Sequence, residues 1–415
     1  TVFAGEKTGS ITISTSGLDD NEIEIAETII LTFGEITNAS TTESSVTLYL
    51  LSEDKPDVNS LSLDVNTIDE DNDISTLTAT LSAKHSKDVI IPMTLKGTAS
   101  IDVDYYSIFE GKGSVSTISG NGRGNFLNQL NRPHGIDFDN SGNLYVADWE
   151  NRRIVKWSPN SKTGEIIQDG EWYISVFVFD NNTIYASDHY GHRIFKITKD
   201  ENNNYSRSVI IGNNGQGSNL NQLSYPREIY VDSDKNIYIV DQNNHRVVKW
   251  SDGGSQGLIV AGGNGGGDAL NQLNNPTGLA IDKNNNIYVA DQGNHRIVKW
   301  TPGDSEGLVV AGGSYGSDLN QLRYPHDVEI SEFGLLFIAD SSNDRVLSWI
   351  PEAENGSKVA GGERGNQINQ LNYPQYLTID NNGQLYVSDY NNDRIQKIQV
   401  TPQLIIKAGE DKGIM

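Results

Sequence analysis

Past residue 110, apolar and polar residues alternate in short runs that end at Asn, Gly, Asp or Pro-Gly, which is the period of half-buried strands rather than of helices. One run keeps returning. An aromatic residue, two small or branched residues and an aspartate are followed five positions on by arginine: Tyr145-Val146-Ala147-Asp148 with Arg153, and Tyr185-Ala186-Ser187-Asp188 with Arg193. The later copies are Tyr238-Ile239-Val240-Asp241 with Arg246, Tyr288-Val289-Ala290-Asp291 with Arg296, Phe337-Ile338-Ala339-Asp340 with Arg345, and Tyr386-Val387-Ser388-Asp389 with Arg394. Successive aspartates are 40, 53, 50, 49 and 49 residues apart, so the unit is about 50 residues long and its second copy is shortened. A period of that length indicates a propeller, solenoid or array.

Each full unit holds four strands. In the fourth copy they cover 278–281, 287–290, 296–300 and 308–311, separated by Asn, Gly and Pro-Gly turns. Four antiparallel strands make a propeller blade and six blades close a ring, so the predicted fold is all-β, a six-bladed β-propeller. The sixth unit has strands near 376–379, 385–388 and 394–400 but nothing resembling a fourth. That strand is expected at the front, where 114–122 matches 308–314 and 258–265 in pattern; paired beside 394–400, it hides the last sheet edge. The ring is thus placed at 111–400.

Charge narrows the partners. The 415 residues carry Lys+Arg 31 against Asp+Glu 55, a net charge of −24, which repels a phosphate backbone and excludes nucleic acid as the expected partner. Residues 1–110 hold 5 Lys and 20 Asp+Glu, net −15, whereas 111–399 hold 24 Lys+Arg and 33 acids, net −9. The acid is concentrated at the front, which makes that segment a candidate for a divalent cation or a self-repelling surface. With no cysteine the chain has no disulfide, Cys nucleophile or thiolate metal ligand. No apolar run approaches the ~18 residues of a membrane helix, and Thr1-Val2-Phe3-Ala4-Gly5 lacks the regions of a signal peptide. The chain reads as a monomeric piece of a longer protein.

Three repeated elements carry a family likeness: Pro-x-Gly, as in Pro276-Thr277-Gly278; Tyr-x-x-Asp, as in Tyr288 to Asp291; and Asn294-His295-Arg296. Together they resemble the NHL-repeat family of six-bladed propellers over about 290 residues. Leu-Asn-Gln-Leu starts at 127, 220, 270 and 319 and Ile-Asn-Gln-Leu at 368, while the second copy lacks both this element and its proline. Blade 2 is therefore expected to be irregular.

In the acidic flank, residues 18–29 (Leu-Asp-Asp-Asn-Glu-Ile-Glu-Ile-Ala-Glu-Thr-Ile) resemble the closing half of a Calx-beta domain, a calcium-binding β-sandwich. Ile68-Asp69-Glu70, Gly97-Thr98-Ala99 and Asp104-Tyr105 resemble the opening half of another. Ala408-Gly409-Glu410-Asp411-Lys412-Gly413 repeats the pattern of Ala4-Gly5-Glu6-Lys7-Thr8-Gly9 at an offset of 404, as though a second closing half begins there. The expected organisation is a closing half-sandwich at 1–53, a linker at 54–57, an opening half at 58–110, the inserted propeller at 111–400 and a new closing half from 401–415. Insertion suits a ring whose two ends are neighbours. The resemblance implies calcium as cofactor, and calcium takes six to eight oxygen ligands. Asp19, Asp20, Glu24, Glu27, Glu53, Asp54, Glu70 and Asp104 are the candidate ligands.

Copies of one residue set do not make one catalytic centre, so the repeated Asp–Arg pairs, and His192, His245 and His295 beside them, are read as structural. Positions that vary at fixed places are more informative. Those following the proline are His134, Arg227, Thr277, His326 and Gln375; those following the second-strand aspartate are Trp149, His189, Gln242, Gln292, Ser341 and Tyr390. Both loops of a blade open on one face, so these residues are expected to ring one mouth of the channel. Trp149 and Tyr390, adjacent across the closure, are expected to form a single aromatic platform there. The reading is an extracellular binding or adhesion module of a large bacterial-type repeat protein, with a protein or glycan partner at the propeller face and no catalytic residues assigned. The alternative is a lactonase-like hydrolase or lyase in which His134 and His326 share a channel metal.

Overall fold

A computed structural model describes residues 115–400 except 332–333, 352 and 381–382, and in the flanks the backbone of short strands. The chain divides into two compact units, Thr1–Glu110 with Thr401–Met415, and Gly111–Val400. In the first, Gly9–Ser16 pairs antiparallel with Val89–Leu95 and parallel with Gln403–Lys407, and Glu27–Phe33 pairs antiparallel with Ser75–Leu81.

The second unit is a six-bladed β-propeller of six four-stranded antiparallel sheets. Blade 1 is built from Pro133–Phe138, Leu144–Asp148, Arg153–Trp157 and Glu165–Asp169. Innermost strands of the other blades are Tyr173–Asp180, Pro226–Val231, Leu279–Ile281, Asp327–Ile330 and Pro374–Ile379. Blade 6 takes its outer strand from the front of the ring, with Ile395 opposite Ser119 and Ile398 opposite Val115, so no edge is left where the ring closes. Second strands are wholly buried in every blade but the second, where only Thr183 is partly exposed, because each blade face packs against its neighbour. The interior is consequently a set of clusters between blades, such as Tyr288, Ile297 and Trp349, or Val146, Tyr376 and Ile395 across the closure.

The Pro-x-Gly element belongs to this inter-blade contact. A Cβ on Gly278 would lie 2.6 Å from the Asp327 Cα, and one on Gly135 would lie 2.6 Å from the Ser175 Cα, so glycine lets adjacent innermost strands approach. The helical content of the described residues is five three-residue 3-10 turns, each directly after a second-strand aspartate in blades 1, 3, 4, 5 and 6. Blade 2 departs from the rest: its strands are longer and it has no such turn.

Candidate functional site

The repeated polar residues are fasteners. Asp291 is fully buried; Oδ1 accepts from the Asn274 N–H at 2.6 Å, and Oδ2 accepts from Asn294 Nδ2 at 2.8 Å and from Arg296 Nε at 2.7 Å. Arg296 donates onward to the carbonyls of Asp268, Ala269 and Gln272, so the ion pair anchors the Leu-Asn-Gln-Leu crossover to the blade. The same set recurs around Asp148, Asp241, Asp340 and Asp389. In blades 2 to 6 the residue four positions after the aspartate clasps the next blade. His192, His245 and His295 accept through Nδ1 from the N–H of Tyr225, Asn275 and Tyr324, at 3.0, 3.1 and 3.2 Å. Asp344 accepts likewise from Tyr373, and Asp393 from Arg132 at 2.8 Å across the closure from blade 6 to blade 1; blade 1 carries Arg152 at this position, which donates to the Gly170 carbonyl instead. Each donor precedes a proline and sits at positive φ, 55° for Tyr225 and for Arg132, so the clasp holds a strained junction. Copies of this kind offer no unique chemistry.

The unique residues meet at one end of the channel. A cavity of about 350 Å³ is lined there by His134, Trp149, His189, Arg227, Gln292, His326, Gln375 and Tyr390, all expected at the rim, and by Arg132, Glu150, Ile174, Tyr190 and Tyr373. Gln242 contacts it indirectly: its Oε1 accepts from Arg227 Nε at 3.0 Å. Thr277 and Ser341 correct the expectation. Both are fully buried, because their short hydroxyls donate to main-chain carbonyls of the next blade, Thr277 to His326 at 2.6 Å and Ser341 to Pro374. Trp149 and Tyr390 do not form a shared face either. The His134 ring lies between them, 5.0 Å from Trp149 and 4.9 Å from Tyr390, and Trp149 is buried against His189 and Trp172.

Arg227 organises the electrostatics. Its Nη1 donates to His326 Nε2 at 3.0 Å, and because a guanidinium only donates, that nitrogen carries a lone pair and the imidazole is neutral. Burial, and then the Arg227 charge, hold His134 and His326 well below the usual histidine range, and burial lowers His189 to about 3. Deeper in the channel the sign reverses. Asp137, Glu228 and Asp327 project from the innermost strands of blades 1, 3 and 5, and each accepts a main-chain N–H of the following blade: Val178 at 2.6 Å, Leu279 at 2.7 Å and Leu377 at 2.7 Å. Burial raises Asp137 to about 7; burial raises Asp327 to about 6, and its partner Glu228 is pushed up further by burial and by the Asp327 charge, so the pair shares a proton. Glu329 is raised by burial and by Asp327. Tyr376 feels both layers, Arg227 from one and Glu228 and Asp327 from the other.

A shared metal on His134 and His326 does not fit these groups. His326 Nε2 is already hydrogen-bonded to the Arg227 guanidinium, and no set of three His, Asp or Glu side chains able to hold a metal occurs among the described residues. The calcium candidates Asp19, Asp20, Glu24, Glu53, Asp54, Glu70 and Asp104, and the side chain of Glu27, lie outside the described residues.

Comparison with known proteins identifies NHL repeats at 130–157, 223–250, 273–300 and 371–398, in blades 1, 3, 4 and 6. No curated protein sequence matches the chain. Among solved structures, a protein of unknown function from Bacteroides thetaiotaomicron is similar with a TM-score of 0.58 and 18% identity, covering 93% of this chain and 100% of that one. An auxiliary nutrient binding protein from the same organism gives 0.53 at 11% identity, covering 93% and 97%. A gluconolactonase from Xanthomonas campestris gives 0.52 at 16% identity, covering 72% of this chain and 96% of that one. A binding protein and an enzyme share this fold, so the fold leaves the choice to the site.

Proposed function

We propose that this chain, with its NHL-repeat propeller, is an extracellular binding or adhesion module: the propeller mouth holds a protein or glycan partner without converting it, and the flanking segments are half-sandwiches that take calcium. The observation that carries the reading is the convergence of the residues that vary between blades on one cavity, whose wall is aromatic and hydrogen-bonding: Trp149, Tyr190, Tyr373 and Tyr390 beside Gln292 and Gln375. Aromatic and Arg side chains are the usual anchors of binding energy. His134, His189 and His326 are neutral and poorly placed to titrate near pH 7, which suits recognition more than proton transfer. The calcium reading rests on the acidic clusters at 19–27 and 53–57 and on the Calx-beta resemblance. Halves divided by an inserted propeller make one site only when brought together.

The test is a glycan and peptide array probed with the intact chain in calcium, followed by titration of any hit. Tyr190, 53% exposed, and Tyr390 are the residues to change, because truncating the buried Trp149 would disturb packing. Tyr190→Ala with Tyr390→Ala is expected to weaken binding tenfold or more with the melting temperature retained. Appearance of a product in the ligand's NMR spectrum would refute the binding reading.

A further inference from the structure

We infer that the ligand of the mouth is an acidic saccharide, whose carboxylate or sulfate group is received by Arg227; this rests on the binding-module reading. The other arginines withdrawn from solvent are neutralised: Arg153, Arg246, Arg296, Arg345 and Arg394 each pair with an aspartate at 2.7 or 2.8 Å. Arg227, partly buried on the cavity wall, has no carboxylate partner among the described residues. Its hydrogen-bonded neighbours, Gln242 Oε1 and His326 Nε2, are neutral acceptors that fix the plane of the fork and leave its charge unmatched. Burial works against that charge, and the neighbouring histidines are prevented from adding to it. A planar, fixed, unmatched guanidinium in a cavity is the geometry that receives a two-oxygen anion.

The rest of the wall decides what carries the anion. The side chains of His134 and Gln375 line the cavity, and each has a buried polar atom without a hydrogen-bond partner, His134 Nδ1 and Gln375 Oε1, a donor-or-acceptor nitrogen and an acceptor oxygen of the kind sugar hydroxyls satisfy. The half-exposed Tyr190 and the Tyr390 ring offer apolar faces to a sugar ring. A volume of about 350 Å³ is at the small end of ligand cavities and suits one or two sugar rings rather than a folded surface. The carboxylates below Tyr376 and the chain's net charge of −24 disfavour a polyanion, so a single acidic group is selected.

Isothermal titration of the intact chain with D-glucuronate, D-glucose 6-sulfate and D-glucose tests this, with an acidic peptide as a further arm. Expected is binding of an acidic sugar at least tenfold tighter than glucose, weakening as salt rises. Arg227→Gln should abolish that preference, and Arg227→Lys, which keeps the charge but not the fork, should retain part of it. Because Arg227 also holds His326, both variants are first compared with the parent by thermal melting, and the lysine variant decides if the glutamine variant unfolds. Affinity for both acidic sugars no greater than for glucose, a preference that survives Arg227→Gln, binding of the acidic peptide alone, or no binding of either acidic sugar would overturn the inference. A neutral glycan that binds and is lost in the Tyr190→Ala and Tyr390→Ala variant would leave the module reading standing while this one falls; consumption of the acidic sugar would remove both.

Discussion

Asp291→Ala should destabilise the propeller far more than Asp188→Ala, although the two aspartates occupy the same place in the repeat. In blade 4 the aspartate and Arg296 are both withdrawn from water, with side-chain exposures of 0% and 7%. Removing one partner of a buried pair costs about 3–5 kcal/mol. The carbonyls of Asp268, Ala269 and Gln272 still hold the guanidinium, which favours the lower end, but the Asn274 N–H is orphaned and adds about 1 kcal/mol. A total of about 4 kcal/mol corresponds to a melting temperature lower by roughly 8–16 °C in a domain of this size. In blade 2, Arg193 is 32% exposed and also pairs with Glu171 at 3.1 Å, so it keeps a partner and water when Asp188 is removed. That loss should be about 1 kcal/mol, close to the value of surface pairs, and roughly 2–4 °C. Scanning calorimetry of the intact chain measures both shifts. Asp291→Asn, which keeps an acceptor for Asn274 and removes the charge, should fall between the parent and Asp291→Ala. Equal shifts for Asp188→Ala and Asp291→Ala would show that burial of the arginine does not set the cost, and the argument would fail.

Other outcomes follow from the same structure. Deleting residues 113–119 removes the outer strand of blade 6 and exposes the edge at Arg394–Ile398, so the shortened chain should associate in sedimentation or melt much earlier; an equally stable monomer would contradict the closure. Asp137, Asp327, Glu228 and Glu329 have folded-state pKa values raised above those of the unfolded chain, Asp137 to about 7 and Asp327 to about 6, so the native state holds extra protons and stability from this set is greatest at low pH and declines as pH rises, for the two aspartates between about pH 4 and 7. Melting at pH 5 and pH 8 should show the decline, and Glu228→Gln with Asp137→Asn should reduce it; an unchanged difference would refute the assignment. For calcium, a chelator should lower the melting temperature of a chain that contains one complete sandwich, because a ligand at 100 times its Kd adds about 2.7 kcal/mol; identical curves with and without chelator would remove the calcium reading.

The blades were legible because a strand and its turns are local. Alternation around Tyr-x-x-Asp, the 49- and 50-residue spacings and the missing fourth strand of the last unit were enough to place six blades and their closure, and the structure pairs Ile395 with Ser119 accordingly. Repetition also marked the Asp–Arg ties as structural. What the repeat could not show is which side chains meet across the ring. Arg227 and His326 are 99 residues apart, and their contact depends on the rotation accumulated from blade to blade. Thr277 and Ser341 occupy the same columns as His134 and Tyr390, yet they are spent on carbonyls of the next blade and do not line the cavity, because a short hydroxyl that makes this bond leaves nothing to project into the mouth. Arg132 and Tyr373 escaped notice because they lie before the proline, in a column that reads as turn, and reach the mouth because the inter-blade clasp holds them at φ of 55° and 59°. The channel carboxylates Asp137, Glu228 and Asp327 sit within ordinary strand alternation; their raised pKa values and blade-to-blade bonds arise only when the curvature of the ring turns that face toward a narrow, poorly solvated interior. Local periodicity thus determined the strands and their order, and ring closure decided the electrostatics of the site.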